Sequence, residues 1–449
     1  MQDNLIQDFN SAQIVSALRL LINHIKTEVL DFEHYELINN KEFHDWTGLT
    51  AEQFSDLLAN TPSLNQRRNK KTILAALLAK IRTGDSNARL ATIFKTSESS
   101  FARMLATGRE ALLRDFVPMH LGFDHMTRED VTRRNLLIPE SLFGNIESPP
   151  EERKAITIVD GTYIYIQKSS NYFFQRKFYS SHKFRNLVKP FLFVCCDGHI
   201  IEVSGPHAAT SSDAQIMQNI AENESDHGDG LFQWFYQSGD VFILDRGFRD
   251  AVPILDGNGY TVKMPETKHP GASQLTTEQA NKSRLVTLCR WVVELVNGRF
   301  KRDFRLLRNV HINVTLHYMF EYFRIAAALI NAYHVLIVDN VHASDFLQII
   351  RERMNMPNTL ADLVARRNLN RMRAQFQPMS PDMADFNDFP TLTEEELILF
   401  SLGIYQLKQA RSYYGEHVQP DGVFSIELSG GIPLELVREL EGEDLQNEI

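Results

Sequence analysis

The fold class this sequence predicts is an α/β domain, a mixed sheet flanked by helices, preceded by an all-α region, and three features predict it. From Ala155 onward, short β-rich runs bounded by Gly, Asp and Ser alternate with helical segments, the pattern of a mixed sheet with helical connections. Residues 46–120 instead keep a helical period throughout. Two long helical segments, Leu275–Leu306 and Thr315–Val338, then close the α/β part. The second carries one broad apolar face (Leu316, Met319, Phe320, Phe323, Ala327, Leu329, Ile330), as a helix packed on a sheet does.

The 449 residues allow two to four domains, each able to bury a core. With 43% apolar and 23% charged residues, collagen-like, low-complexity and wholly disordered chains are excluded. No internal repeat is present. Three cysteines (Cys195, Cys196, Cys289), none in CxxC spacing, exclude a disulfide framework and a cysteine zinc site and suit a reducing compartment. The nearest approach to a membrane span, Phe323–Val338, contains Arg324, Asn331 and His334, and the acidic, polar start lacks a secretory pattern. An intracellular protein that does not cross a membrane is expected.

The net charge of −10 is unevenly distributed. Pro378–Ile449 holds fifteen acidic against three basic residues, so the preceding chain is slightly positive. Thr61–Arg114 carries eleven Lys/Arg against Asp85, Glu98 and Glu110, a local excess that suits nucleic acid and equally suits solvated helix faces.

Taken in order, residues 1–45 show helical periodicity (Ile14, Leu18, Leu21, Ile22, Ile25), carry no chemistry that can be named and are left unassigned. In residues 46–120, Thr50 followed by Glu52 and Gln53 predicts a capped helix carrying Phe54, Leu57 and Leu58, and Thr72 predicts the cap of the next, which Gly84 stops. A short helix with Leu90 and Ile93 inward, a turn at Lys95–Thr96, and a helix with Phe101, Leu105 and Leu112 inward follow. That pattern is a helix-turn-helix or a plain bundle. In the first case Ser99, Ser100 and Arg103 lie at the end of the second helix that meets base edges. Residues 121–154, ending in a Pro-Pro and charged run, predict a linker. Residues 155–338 form the α/β domain, with strands expected at AITIVD, GTYIYIQ, PFLFVCC, IIEVS and VFILD. Residues 339–449 form an acidic C-terminal region, an interaction arm or a solvated appendage, within which EEELILFSLGIYQL predicts an amphipathic helix.

Two strands end in aspartate where the chain must turn, ITIVD at Asp160 and VFILD at Asp245. Downstream, Glu294 shares a helical stripe with Arg290, Gly298 and Lys301. Three carboxylates without His or Cys partners are hard oxygen ligands, suited to Mg²⁺ or Mn²⁺ and thereby to phosphate chemistry. Each aspartate taken singly is more often a turn residue than a ligand.

The segments VDGTYIYI, YSSHKFRNLVKPFLFVCCDGHIIEVSGPHAATSSDAQIM, FILDRGFRD and ANKSRLVTLCRWVVELVNGRFKRDFRLL together resemble the DDE-type endonuclease domain of PIF/Harbinger-like transposases and their domesticated relatives over residues 156–330. The resemblance implies an RNase H-like fold, Mg²⁺ (or Mn²⁺), and the catalytic, metal-binding roles on Asp160, Asp245 and Glu294. The 48 residues between the last two are similar to the family's spacing. One departure is Leu244-Asp245-Arg246-Gly247-Phe248, where many relatives have a GD turn. Asp213 matches a further aspartate of the family and is expected as a helix cap or accessory residue near the site. Lys177, His182, Lys183 and Lys189 are expected on the DNA backbone, and Arg290, Arg299, Lys301, Arg302, Arg305 and Arg308 continue that track. The front part resembles the family's helix-turn-helix segment. Double-stranded DNA (transposon ends and target) is the implied substrate, cleavage with strand transfer the implied reaction, and a homo-oligomer on DNA or a Myb-like partner the implied assembly. A nuclear location follows from that substrate and from the basic cluster Arg67-Arg68-Asn69-Lys70-Lys71. The opposing reading is a catalytically silent, domesticated DNA-binding or scaffold protein.

Overall fold

The computed structural model describes residues 13–19, 21, 30–222, 231–272, 275–354, 356–371, 376–378, 391–417 and 427–429. The chain divides into two compact units, residues 1–265 with 283–338, and residues 266–282 with 339–449.

In the first unit the front of the chain is helical. The helix Ala51–Ala59 starts with the capping box Thr50–Gln53, and Phe54 and Leu57 are fully buried. Helix α1 (Lys70–Thr83) begins at Asn69, so Thr72 is not its cap. The Thr72 amide and hydroxyl instead donate to the Glu33 carboxylate, which sits at the positive end of the helix. Gly84 ends α1 at a φ of +69°, where a Cβ would fall 2.5 Å from Asn309 Nδ2. Helix α2 (Asn87–Ile93) and helix α3 (Glu98–Ala111) follow, with Lys95 between them at a φ of +46°. Leu90, Phe101, Leu105 and Leu112 are buried, and Ile93 is half-buried. Of the apolar residues expected on one face of segment 1–45, Ile14 and Leu18 are exposed, as is Leu21, and Ile22 and Ile25 lie outside the described residues.

The expected linker 121–154 is corrected: it is packed structure. It contains the helices Arg128–Arg133 and Leu137–Phe143. Arg128 donates from Nε and Nη2 to the fully buried Asp240, at 2.9 and 2.6 Å. The same Asp240 accepts from the Ala155 amide at the entry to the sheet, and Asn135 accepts from Ile156. A bidentate, desolvated Arg–carboxylate pair fixes geometry as few contacts do. The Pro-Pro run marks only a 3-10 turn, Pro150–Glu152.

The sheet contains β1 (Ile156–Gly161), β2 (Ile164–Tyr165), β3 (Tyr179–Ser180), β4 (Arg185–Cys195), β5 (Ile200–Ala208), β6 (Val241–Ile243) and β7 (Thr261–Lys263). Strand β4 pairs antiparallel with β1 on one side and β5 on the other, while β2 and β3 pair with its first residues. Strands β6 and β7 extend the sheet from β1 in parallel. The period of two divides the core between the faces. Ile156, Ile158, Leu192, Val194 and Ile243 join one cluster with helices α5 (Thr277–Asp303) and α6 (Leu316–Tyr333) and the N-terminal helices. Val159, Phe191, Phe193, Phe242 and Leu244 join the other, against helix α4 (Asp213–Ala221) and Phe232–Tyr236. A sheet covered on both faces explains why β4 is apolar almost without alternation.

The second unit holds the helices Ala343–Met354, Thr359–Arg367, Glu394–Ser401 and Ile404–His417, and a two-stranded ladder pairing Phe376–Pro378 with Glu427–Ser429. The amphipathic helix expected at EEELILFSLGIYQL is two helices. Leu402 at a φ of +57° and Gly403 at +125° break it, because neither backbone continues a right-handed helix. Among the described residues, no helix is long and apolar enough to cross a membrane.

Candidate active site

Strands β1 and β6 run parallel with Ile158 opposite Ile243. Two residues further along each chain come Asp160 and Asp245, so adjacent strands deliver both carboxylates to one rim of the sheet. Asp160 lies within β1 opposite Leu192 of β4. Asp245 has left β6 and caps a 3-10 turn, its Oδ1 accepting from the Gly247 amide at 2.7 Å. Position 247 takes Gly because a Cβ there would meet that oxygen at 2.9 Å. The Leu-Asp-Arg-Gly-Phe departure is thus absorbed locally, with Phe248 fully buried behind the turn.

Helix α5 supplies the third carboxylate. Val286, Cys289, Val292, Val293, Val296 and Phe300 bury one side of it. Arg290, Glu294, Asn297 and Lys301, spaced by three and four, form another stripe. The Arg290 guanidinium reaches all three acids. Nη2 lies 3.4 Å from Asp160 Oδ1 and 3.8 Å from Asp245 Oδ2, and Nη1 donates to Glu294 Oε1 at 3.0 Å. Asn297 Nδ2 donates to the other Asp160 oxygen at 3.3 Å. Asp213 joins from a fourth direction: a Cβ on Gly161 would lie 3.1 Å from its Oδ1, and one on Gly247 3.8 Å from its Oδ2.

The cap of α4 is Ser212, which accepts from Gln215, so Asp213 occupies the first turn and leaves its carboxylate for Lys189. Lys189 itself is corrected. It is buried, 3.1 Å from Asp213 and donating to Ser211 O at 2.8 Å, and is therefore engaged inside the protein instead of facing DNA. Arg299 donates to Val335 O and Arg302 pairs with Asp303. Lys177, His182, Lys183, Arg305 and Arg308 are exposed, and Lys301 is half-buried. Ser99 and Arg103 lie exposed at the start of α3, with Arg103 donating to Ser100 Oγ at 3.0 Å.

Burial pushes Asp160 up to about 7, with Arg290 opposing the shift and the charges of Asp245 and Asp213 adding to it. Burial likewise raises Tyr163 to about 12, reinforced by Asp213, Asp160 and Asp245, which marks this tyrosine as a neighbour of the cluster. Sequence reasoning passed over Tyr163 and Asn297; only the spacing of Asn297 from Arg290 and Glu294 along α5 signalled it.

A pH dependence follows. The folded chain holds the Asp160 proton up to about pH 7 and the unfolded chain releases it near 3.8. With more protons bound in the folded state across that window, stability falls as pH rises from about 4 to 7, by an amount on the order of a few kcal/mol, and levels off above. Urea unfolding in EDTA should show Asp160→Asn gaining on the wild type across this window; parallel curves would refute the assignment.

Among the described residues, no three His, Cys, Asp or Glu side chains stand close enough together to hold a metal ion as they are placed. The carboxylates are instead arrayed around a guanidinium, whose positive charge sits where their fields converge.

Residues 159–331 match the family model described as a DDE superfamily endonuclease. The chain matches no curated protein and no solved structure.

Proposed function

We propose that the DDE superfamily endonuclease domain at residues 159–331 acts as a metal-dependent DNA endonuclease of the PIF/Harbinger transposase type, with Asp160, Asp245 and Glu294 as its catalytic, metal-binding acids. The carrying observation is that three acids far apart in the chain meet on one cation, Arg290. Within the seven-stranded sheet the run β5-β4-β1-β6-β7, antiparallel up to β1 and parallel beyond it, supports an RNase H-like reading of the fold.

The donor chemistry fits a hard divalent cation. The candidate ligands are all carboxylate oxygens, two at strand ends and one on helix α5, and a positive group already occupies their common field. Asp160, Asp245 and Glu294 would hold Mg²⁺ or Mn²⁺, two ions in this reading, which would supply Lewis-acid stabilisation of phosphoryl oxygens and lower the pKa of a water. The chain's own residues do the rest. Asn297 fixes the Asp160 carboxylate through one oxygen. Lys189 offsets the charge of Asp213, so that four acids share one rim. Exposed Lys177 and Lys183 meet the DNA backbone, as does Lys301, and Ser99, Ser100 and Arg103 on α3 read bases in a helix-turn-helix. Hydrolysis leaves a 3′-hydroxyl, which in strand transfer attacks a target phosphodiester. The site of action is the nucleus, on a homo-oligomer bound to DNA with or without a Myb-like partner.

The purified chain should nick a mixed pool of duplex DNA with Mg²⁺ and not with Ca²⁺, which binds oxygen ligands with looser geometry. Tight binding without cutting under either ion, with every plausible partner protein supplied, would favour the silent DNA-binding descendant.

A further inference from the structure

The stretch Ile164–Pro190 contains no acidic residue and six Lys/Arg (Lys168, Arg176, Lys177, Lys183, Arg185, Lys189). It also exposes large aromatic rings. Tyr172 is 66% exposed, Phe173 82% and Phe184 79%. Tyr172 and Phe173 meet edge to face at 5.9 Å, leaving their outer faces free of each other. Phe184 sits at a φ of +52°, a left-handed conformation that an aromatic residue adopts at a cost. An apolar ring held outward on a strained backbone points to a use outside the fold.

This lobe adjoins the carboxylates. The Lys183 ammonium lies 5.2 Å from the centre of the Tyr163 ring, and Tyr163 feels Asp213, Asp160 and Asp245. The Lys177 carbonyl accepts from the hydroxyl of Thr210, three residues before Asp213. Strands β2 and β3 both pair with β4, the neighbour of β1.

We propose that this lobe is a base-stacking surface for unpaired DNA: Phe184, with Tyr172 and Phe173, takes bases out of the duplex beside the bond to be cut, while Lys177, Lys183 and Arg185 hold the flanking phosphates. The inference rests on the proposed function and adds to it a preference for unpaired bases. Charge decides the occupant. A second copy of this acid-free lobe would set five exposed cations (Lys168, Arg176, Lys177, Lys183, Arg185) against five, whereas a nucleic-acid strand supplies the opposite charge together with flat apolar faces that stack on aromatic rings.

The test compares two 30-base-pair DNAs of one mixed sequence, one fully paired and one with a central four-base mismatch, in Ca²⁺ with the full chain. The wild type should bind the mismatched DNA about tenfold more tightly, the contribution of one base–aromatic stack. Phe184→Ala and Tyr172→Ala/Phe173→Ala should abolish that preference while leaving affinity for the paired DNA within about threefold. Lys183→Gln should weaken both and lower the salt dependence. Three exposed positions leave folding intact, which a thermal melt checks. Equal affinity of the wild type for both DNAs overturns the lobe proposal alone. Equal losses on both DNAs in the aromatic variants also overturn it, as does a change of molecular mass by light scattering, which would assign the surface to a second copy. No binding to either DNA overturns the proposed function as well.

Discussion

Asp160→Asn, Asp245→Asn and Glu294→Gln should each lower Mg²⁺-dependent cleavage by about 10³-fold or more, because on the proposed reading each removes an anionic ligand whose bound ions would supply several kcal/mol of transition-state stabilisation. The amides are chosen over Ala for a structural reason. Asp245 caps its turn by accepting from Gly247, and Asp160 accepts from Asn297; an amide keeps an acceptor oxygen at both places. DNA affinity should stay within about threefold of the wild type, or rise, as a negative charge near the phosphates is lost. Filter binding and nicking assays on the same preparations separate the two effects. Variants that cut as well as the wild type would sink the catalytic assignment.

Arg290→Gln should act in the opposite sense on metal and stability. Without metal it leaves Asp160, Asp245 and Glu294 on one rim with their shared cation gone, while Asp213 keeps Lys189. Complete removal of a buried partner costs about 3–5 kcal/mol; with Asp245 and Glu294 more than a third exposed, solvent screening reduces this to roughly 2 kcal/mol. That is several degrees in the melting temperature. Millimolar Mg²⁺ or Mn²⁺ should restore most of the loss in the variant and raise the wild type less, since in the wild type the cation must displace the guanidinium. Superimposable melts of the two proteins in EDTA would show that Arg290 does not hold the acids together.

Much of this protein was legible in its sequence because the signals are local. Strand runs ending at Asp160 and Asp245, the capping box at Thr50 and the stop at Gly84 each depend on a few neighbouring residues, and each element stands close to where its pattern puts it. The pattern also singled out the three acids and the stripe on α5, and the family resemblance grouped the acids as one site. What failed depended on distant partners. Residues 121–154 read as a linker because a Pro-Pro run and charges look solvated, yet Arg128 finds Asp240 more than a hundred residues away and becomes buried structure. Lys189 read as a free cation in a basic loop until Asp213 claimed it. Thr72 read as a cap until Glu33 arrived from another segment.

The sequence by itself determined which residues are acids, which ends of strands they occupy and which helix face carries Glu294, since period and turn chemistry are properties of short stretches. Only the tertiary structure decided that Arg290 is the cation they share, that Asp213 joins them, and that the aromatic rings of Ile164–Pro190 face outward beside them. The physical reason is that charge pairing and burial are set by approach in space, and residues 130 positions apart, such as Asp160 and Arg290, meet only once the sheet has paired and the helix has packed on it.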